Sequence, residues 1–90
     1  MAIFVKDSAA TIDYAIDWSA GYLGGETITS SVWRAVPEGL SVMGSAIALG
    51  RTSVTLAGGV AGAVYRVTNS AAFSNGRSDE RMLVVRVEDR

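Results

Sequence analysis

Ala63-Val64-Tyr65-Arg66-Val67-Thr68-Asn69-Ser70-Ala71-Ala72-Phe73, then Ser74-Asn75-Gly76-Arg77, then Ser78-Asp79-Glu80-Arg81-Met82-Leu83-Val84-Val85-Arg86-Val87-Glu88, is the stretch that decides the fold. As strands, the first segment sets Tyr65, Val67 and Asn69 on one face, and the second sets Leu83, Val85 and Val87 on one face. The link fixes how the two faces meet. A two-residue Asn75-Gly76 loop pairs positions whose numbers sum to 151. Val67 then stands opposite Val84, and one apolar set turns outward. A three-residue loop, Ser74-Asn75-Gly76, makes the sum 150 and places Tyr65 opposite Val85 and Val67 opposite Leu83. That loop is a type I turn closed by a bulge, and it needs a positive φ where Gly76 stands. Only the second register lets the two apolar faces agree.

Period two extends towards the N-terminus. In Thr11 to Trp18, Ile12, Tyr14, Ile16 and Trp18 alternate with Thr11, Asp13, Ala15 and Asp17, as on a half-buried strand. The same alternation puts Ile3 and Val5 on one face at the start. Thr27 to Val36 is rich in β-branched residues, and Val36-Pro37-Glu38-Gly39 ends it. Proline there suits the second position of a type I turn and glycine the fourth. Short strands are predicted around Leu40 to Met43, Ala46 to Leu49 and Thr52 to Leu56, with Gly44 and Gly50 between them. Helix formers are grouped at helical spacing only weakly, around Asp79 to Leu83. About seven short strands with regular turns predict an all-β, immunoglobulin-like antiparallel β-sandwich, with a closed barrel as the alternative. Its core should gather Tyr14, Ile16, Trp18, Tyr65, Val67, Leu83 and Val85.

A chain of 90 residues fits one domain, residues 1–90. A domain of this size buries about 60–65% of its unfolded surface, so the core is thin. Cysteine is absent, so no disulfide reinforces it, and that absence fits a reducing compartment. The first residues show no basic and apolar leader pattern, and the longest apolar run, Leu56 to Tyr65, is too short to cross a bilayer. These features predict a soluble protein made in the cytoplasm, with no membrane partner. A net charge of −1 argues against nucleic acid, whose phosphates need a concentrated basic face. The charge is uneven. Residues 1–45 hold two basic and five acidic side chains, whereas residues 46–90 hold six arginines and four acidic ones.

Histidine is absent too, which removes Ser-His-Asp and Cys-His nucleophile pairs and the usual zinc ligands. Asp13 and Asp17 share a strand face about 13–14 Å apart, wider than the carboxylate pairs of glycosidases. Asp79-Glu80 reads as a solvated edge. The glycines of Gly21-Tyr22-Leu23-Gly24-Gly25 match neither the dinucleotide fingerprint nor the phosphate loop. Neither a catalytic residue, a metal site nor a cofactor is predicted, and the chain reads as a non-enzyme. Trp33 lies opposite in parity to Ile28 and Val32, so it is either core or an interface anchor. The interface candidates are Tyr22, Trp33, Arg66, Arg81 and Arg86, because arginine suits partly desolvated contacts.

Ala61-Gly62-Ala63-Val64-Tyr65-Arg66-Val67 resembles strand F of immunoglobulin-like domains. There a tyrosine two residues before an inward position closes a corner by bonding its hydroxyl to upstream backbone. Val67 stands where antibody domains carry the second cysteine. A longer resemblance runs through Asp13-Tyr14-Ala15-Ile16-Asp17-Trp18, Gly24-Gly25-Glu26-Thr27-Ile28, Ser31-Val32-Trp33 and Pro37-Glu38-Gly39-Leu40. It continues through Tyr65-Arg66-Val67-Thr68-Asn69, Gly76-Arg77-Ser78-Asp79-Glu80-Arg81 and Val85-Arg86-Val87. In this order the segments resemble a small family of tailed-bacteriophage and prophage proteins described as a fibre–tail adaptor. The resemblance implies a virion structural role at the tail, other virion proteins as partners, no cofactor and no catalytic residue. The uneven charge adds the expectation of a homo-oligomeric ring of subunits packed head to tail. The alternative is a surface adhesion or carbohydrate-binding module, which would favour an exposed aromatic strip.

Overall fold

The computed structural model describes residues 2–19, 26–48 and 50–89. Seven strands follow one another: β1 (Ala2–Asp7), β2 (Thr11–Asp17), β3 (Ile28–Val36), β4 (Leu40–Ala48), β5 (Arg51–Gly58), β6 (Val64–Phe73) and β7 (Ser78–Glu88). They form two sheets, one ordered β1-β7-β6-β3 and the other β2-β5-β4. The sheets have free edges, so the barrel alternative falls. The orders β2-β5-β4 and β7-β6-β3 are those of the B-E-D and G-F-C strands in immunoglobulin sandwiches. One pair departs from the antiparallel expectation. β1 runs parallel to β7, with Phe4 opposite Val85 and Lys6 opposite Val87.

The β6–β7 hairpin sets Val67 opposite Leu83 and Tyr65 opposite Val85. Its turn is closed by Gly76 N–H donating to Phe73 O at 3.0 Å and Phe73 N–H to Arg77 O at 2.8 Å. Gly76 has φ +87°, as the bulge demands. Asn75 Oδ1 accepts from Arg77 N–H at 3.0 Å, an Asx turn that supports the reversal.

Three parity expectations need correction. On β1 the inward residues are Phe4 and Lys6, while Ile3 and Val5 point outward. Pairing with β7 dictates this, since Phe4 and Lys6 stand beside the inward Val85 and Val87. On β3 the register slips between Ile28 and Ser30, so Thr29 is an extra residue. That bulge flips parity, and it lets Ile28 and Trp33 both face inward despite their opposite numbering. Gly44 is not a strand break. Leu40–Ala48 is one strand, with a register shift between Met43 and Ala46 that absorbs Gly44 at φ +60°.

The core falls into two clusters rather than one. Tyr14, Trp33, Leu40, Val54, Leu56, Tyr65, Val67, Leu83, Val85 and Val87 pack together, and Trp18, Ile28, Ala71 and Phe73 form a second group. Ile16 is only half-buried and packs against both. Trp18 is wholly buried, which obliges its indole N–H to find a partner. It donates to Thr52 Oγ1 at 3.0 Å and to Asn69 Oδ1 at 3.2 Å.

The opposite end is closed by Tyr65 and Lys6. The Tyr65 hydroxyl accepts from Val60 N–H at 2.9 Å, five residues upstream. Lys6, fully buried, donates through Nζ to Gly58 O at 2.7 Å and Asp7 O at 2.9 Å. Burial pushes its ammonium pKa down, and the Asp7 charge partly restores it. The turn from β3 to β4 contains a cis Val36–Pro37 peptide and Gly39 at φ +125°. A Cβ on Gly39 would lie 2.8 Å from Tyr65 Oη, so glycine is required there for space as well as for conformation.

Two outcomes are expected in urea unfolding. Tyr65→Phe should cost about 1 kcal/mol, because it removes a part-buried hydrogen bond to the Val60 N–H. Equal stability of the two proteins would show that the hydroxyl contributes nothing. Gly76→Ala should cost about 1 kcal/mol, since only its positive φ opposes a side chain and nothing lies within 4 Å of the added methyl. Gly39→Ala should cost clearly more, because the tyrosine must also move; the reverse order would contradict the packing described.

Candidate assembly interface

A strand exposes every second side chain, so the outer face of the four-stranded sheet is fixed by the registers above. One row crosses the whole sheet: Ile3 on β1, Val84 on β7, Arg66 on β6 and Val36 on β3. The next row holds Val5, Arg86 and Val64. Ile3 is 70% exposed and Val36 64%, and Val64 is exposed beside them. Across these two rows the surface is apolar with two arginines set into it, diagonal neighbours at about 7–8 Å between Cα atoms. Arg86 Nε lies 3.0 Å from Glu88 Oε1. Arg34 and Glu80 form a second exposed pair at 3.4 Å. Arg66 belongs to neither pair. Apolar surface with unengaged guanidinium is the composition that protein contacts favour over bulk solvent.

The outer face of the three-stranded sheet differs. Asp13 stands opposite Thr55 and Asp17 opposite Arg51. Asp13 Oδ1 accepts from Thr55 Oγ1 at 2.5 Å. Ser19 donates to the Asp17 carboxylate through both N–H and hydroxyl, which holds that carboxyl below its ordinary pKa. By strand parity, Arg34, Arg66 and Arg86 share one side of the sandwich with Asp7, Glu80 and Glu88, so that face is neutral overall and its positive charge is local to Arg66 and its surroundings. Asp13 and Asp17 against Arg51 give a surplus of one negative charge on the other.

The interface candidates separate on these grounds. Arg66 and Arg86 lie together on the four-stranded outer face. Arg81 does not join them: its side chain stacks over the Trp18 ring, 4.8 Å from the centroid, and donates to Asp17 O at 3.1 Å. Trp33, left open between core and interface by its parity, is 9% exposed and belongs to the same buried cluster as Tyr14 and Val54. Tyr22 lies outside the described residues. Tyr14, Tyr65, Val67, Leu83 and Val85 are buried in the larger cluster. Of the aromatic side chains described, Tyr14, Trp18, Trp33, Tyr65 and Phe73 are buried and Phe4 is partly exposed. They form no strip for stacking sugars. Among the described residues, no group of three or more acidic side chains could hold a metal ion.

The sequence reading missed Ile3, Val36 and Val64. Val64 was legible, because it alternates with Tyr65 and Val67; Ile3 needed the parallel pairing of β1. With this face in view, the comparison with protein families is decisive. The model described as "Podophage GP4 fiber-tail adaptor protein gp77" matches residues 6–86. The chain belongs to this family. No curated protein matches it. A podophage fibre–tail adaptor is a structural protein of the virion, and its role is in tail assembly through contacts with other virion proteins.

In this adaptor the arginines divide into those that hold the fold and those that face outward. Arg81→Gln should lower stability by about 0.5–1 kcal/mol, the worth of an indole–guanidinium contact that is partly exposed. Arg66→Gln should leave the urea midpoint unchanged. Equal losses from the two substitutions would erase the distinction.

Proposed function

We propose that the protein is a single-domain, non-enzymatic adaptor that docks through the outer face of its four-stranded sheet. Its family supports the role, and the row Ile3–Val84–Arg66–Val36 supports the face. In the particle, that face meets either another virion protein or the acidic outer face of the next copy. The second arrangement is heterologous and closes as a ring when the rotation per subunit permits. Each exposed ion pair contributes less than about 1 kcal/mol, so the charges orient the contact and the valines and Ile3 supply its affinity. The protein is made and assembled in the host cytoplasm, where absence of cysteine costs nothing. Nucleic acid and membrane play no part, in keeping with a net charge of −1 and without a strongly basic surface.

An amber mutant of the gene, complemented with altered copies, provides the test. Arg66→Glu with Arg86→Glu should reduce the copies retained in purified particles roughly tenfold, equivalent to about 1.4 kcal/mol. Adding Asp13→Arg and Asp17→Arg to the same chain should restore retention if neighbouring copies stack. Failure of this rescue removes the ring and leaves docking to another protein. Full retention of the doubly reversed variant removes the face itself.

A further inference from the structure

The two sheets leave four edge strands: β1, β3, β2 and β4. Edges are hazards, because their unpaired N–H and C=O groups template pairing with any extended chain, and charges are the common defence. β1 carries Asp7, β2 carries Asp13 and Asp17, and β3 carries Arg34. β4, Leu-Ser-Val-Met-Gly-Ser-Ala-Ile-Ala, carries none, and the sequence holds no charged residue between Glu38 and Arg51. It is also poorly covered. From Met43 to Ala48 every side chain is exposed, with Met43 at 47% and Ile47 at 42%. Among the described residues, this uncharged, apolar edge strand of nine residues has no further strand paired to it.

A second observation lies beside it. Ser31, Val32 and Trp33 of β3 and Val42, Met43, Gly44 and Ser45 of β4 line a groove of about 420 Å³. Trp33 is thus shared between the groove and the core cluster. Trp33 Nε1 is buried and has no acceptor, whereas the other core indole, Trp18, bonds both Thr52 and Asn69. A buried donor without a partner is costly, and native structures retain one where something else satisfies it. The bulge after Met43 falls among the residues that line the groove, and bulges gather where a strand serves a site. The larger groove on the far side, near Phe4, Ile16, Arg81 and Met82, makes no such demand, since Arg81 is already engaged there.

We infer that β4 is a strand-addition site for an extended, uncharged segment of another virion protein, which places a hydrogen-bond acceptor against Trp33 Nε1. Backbone pairing along β4 supplies affinity, and the groove selects the side chain that enters it. The segment is uncharged because a carboxylate or ammonium laid on this strand would lose water and find no opposite charge. The acceptor is a backbone carbonyl or an Asn, Gln, Ser or Thr side chain. A protein partner follows from the adaptor role, on which this inference rests. A second copy is disfavoured, since an adaptor must offer different surfaces to fibre and tail.

The experiment uses particles made by complementing the amber mutant with the chain carrying Ile47→p-benzoylphenylalanine. After illumination, cross-linked peptides are identified by mass spectrometry. The expected product joins residue 47 to a charge-free segment of a different virion protein. Trp33→Phe in the same chain should reduce that product roughly tenfold in the particles that retain it, although the smaller ring also lowers the urea midpoint of the isolated protein. A cross-link to a second copy, to a charged segment, or to nothing overturns the inference, as does a full yield of product from the Trp33→Phe chain. The same probe in the Arg66→Glu, Arg86→Glu chain separates the two surfaces. Loss of retention with a persisting Ile47 cross-link in the remaining particles supports both; normal retention with no cross-link sinks the edge as well as the face.

Discussion

The two sheets are held at their angle by a buried polar brace centred on Asn69. Its Oδ1 accepts from Trp18 Nε1 and from Thr52 Oγ1, and its Nδ2 donates to Ser31 Oγ at 2.8 Å and Val32 O at 3.2 Å. An amide side chain has two donors and an acceptor oxygen, so its capacity is nearly filled. Trp18 and Thr52 come from the three-stranded side, and Asn69, Ser31 and Val32 from the four-stranded side. A hydrophobic core alone resists separation of the sheets but permits sliding. Directional bonds in a dry site fix the register, because each partner displaced would leave a buried group unsatisfied. In a chain without cysteine, this brace performs the positional work that an inter-sheet disulfide performs in antibody domains.

Period two reads truly only while the register is unbroken. Hence β2, β6 and β7 were legible from the sequence, since no bulge interrupts them and their inward sets are large and apolar. The hairpin register followed from parity and one glycine. β3 defeated the same logic because Thr29 is an extra residue, which made Trp33 ambiguous when its burial was not. β1 was misread because its partner is distant in sequence and parallel, so the residue facing the core is a lysine. Lys6 reaches the Gly58 carbonyl only because the chain ends of β1 and β5 meet there, and that is a tertiary fact. The outer-face arginines were half legible. Arg66 and Arg86 share the exposed parity of β6 and β7, but Arg81, a plausible third by composition, is drawn to Trp18 by contacts that no spacing reveals.

The thin core limits where function can reside. Trp18, Tyr65, Lys6 and Asn69 are committed to closing the two ends and fixing the sheets, and none can be released without stranding a buried polar group. A sandwich of this size has two outer faces and its edges left to offer. One face is neutral overall and the other carries a single negative surplus, which suits orientation rather than strength. The proposed docking uses the fold in the way its surface allows: broad, shallow contacts in which sheet residues such as Ile3, Val36 and Val64 would supply apolar area.

Trp33 shows how the fold and its use share one residue. Its ring is buried in the larger core cluster with Tyr14 and Val54, and the packing of an indole there contributes more than any smaller side chain would. That gain is bought with an N–H that the fold does not satisfy. Moving the indole out would open a cavity, and bringing in a protein acceptor would require closing the groove along β4. The bulge at Gly44 falls at the groove, and beyond it the side chains of β4 are exposed on both faces. The open edge, the neutral strand and the unsatisfied donor are thus consequences of one local geometry, and an incoming backbone that restores the missing bonds would remove all three at once.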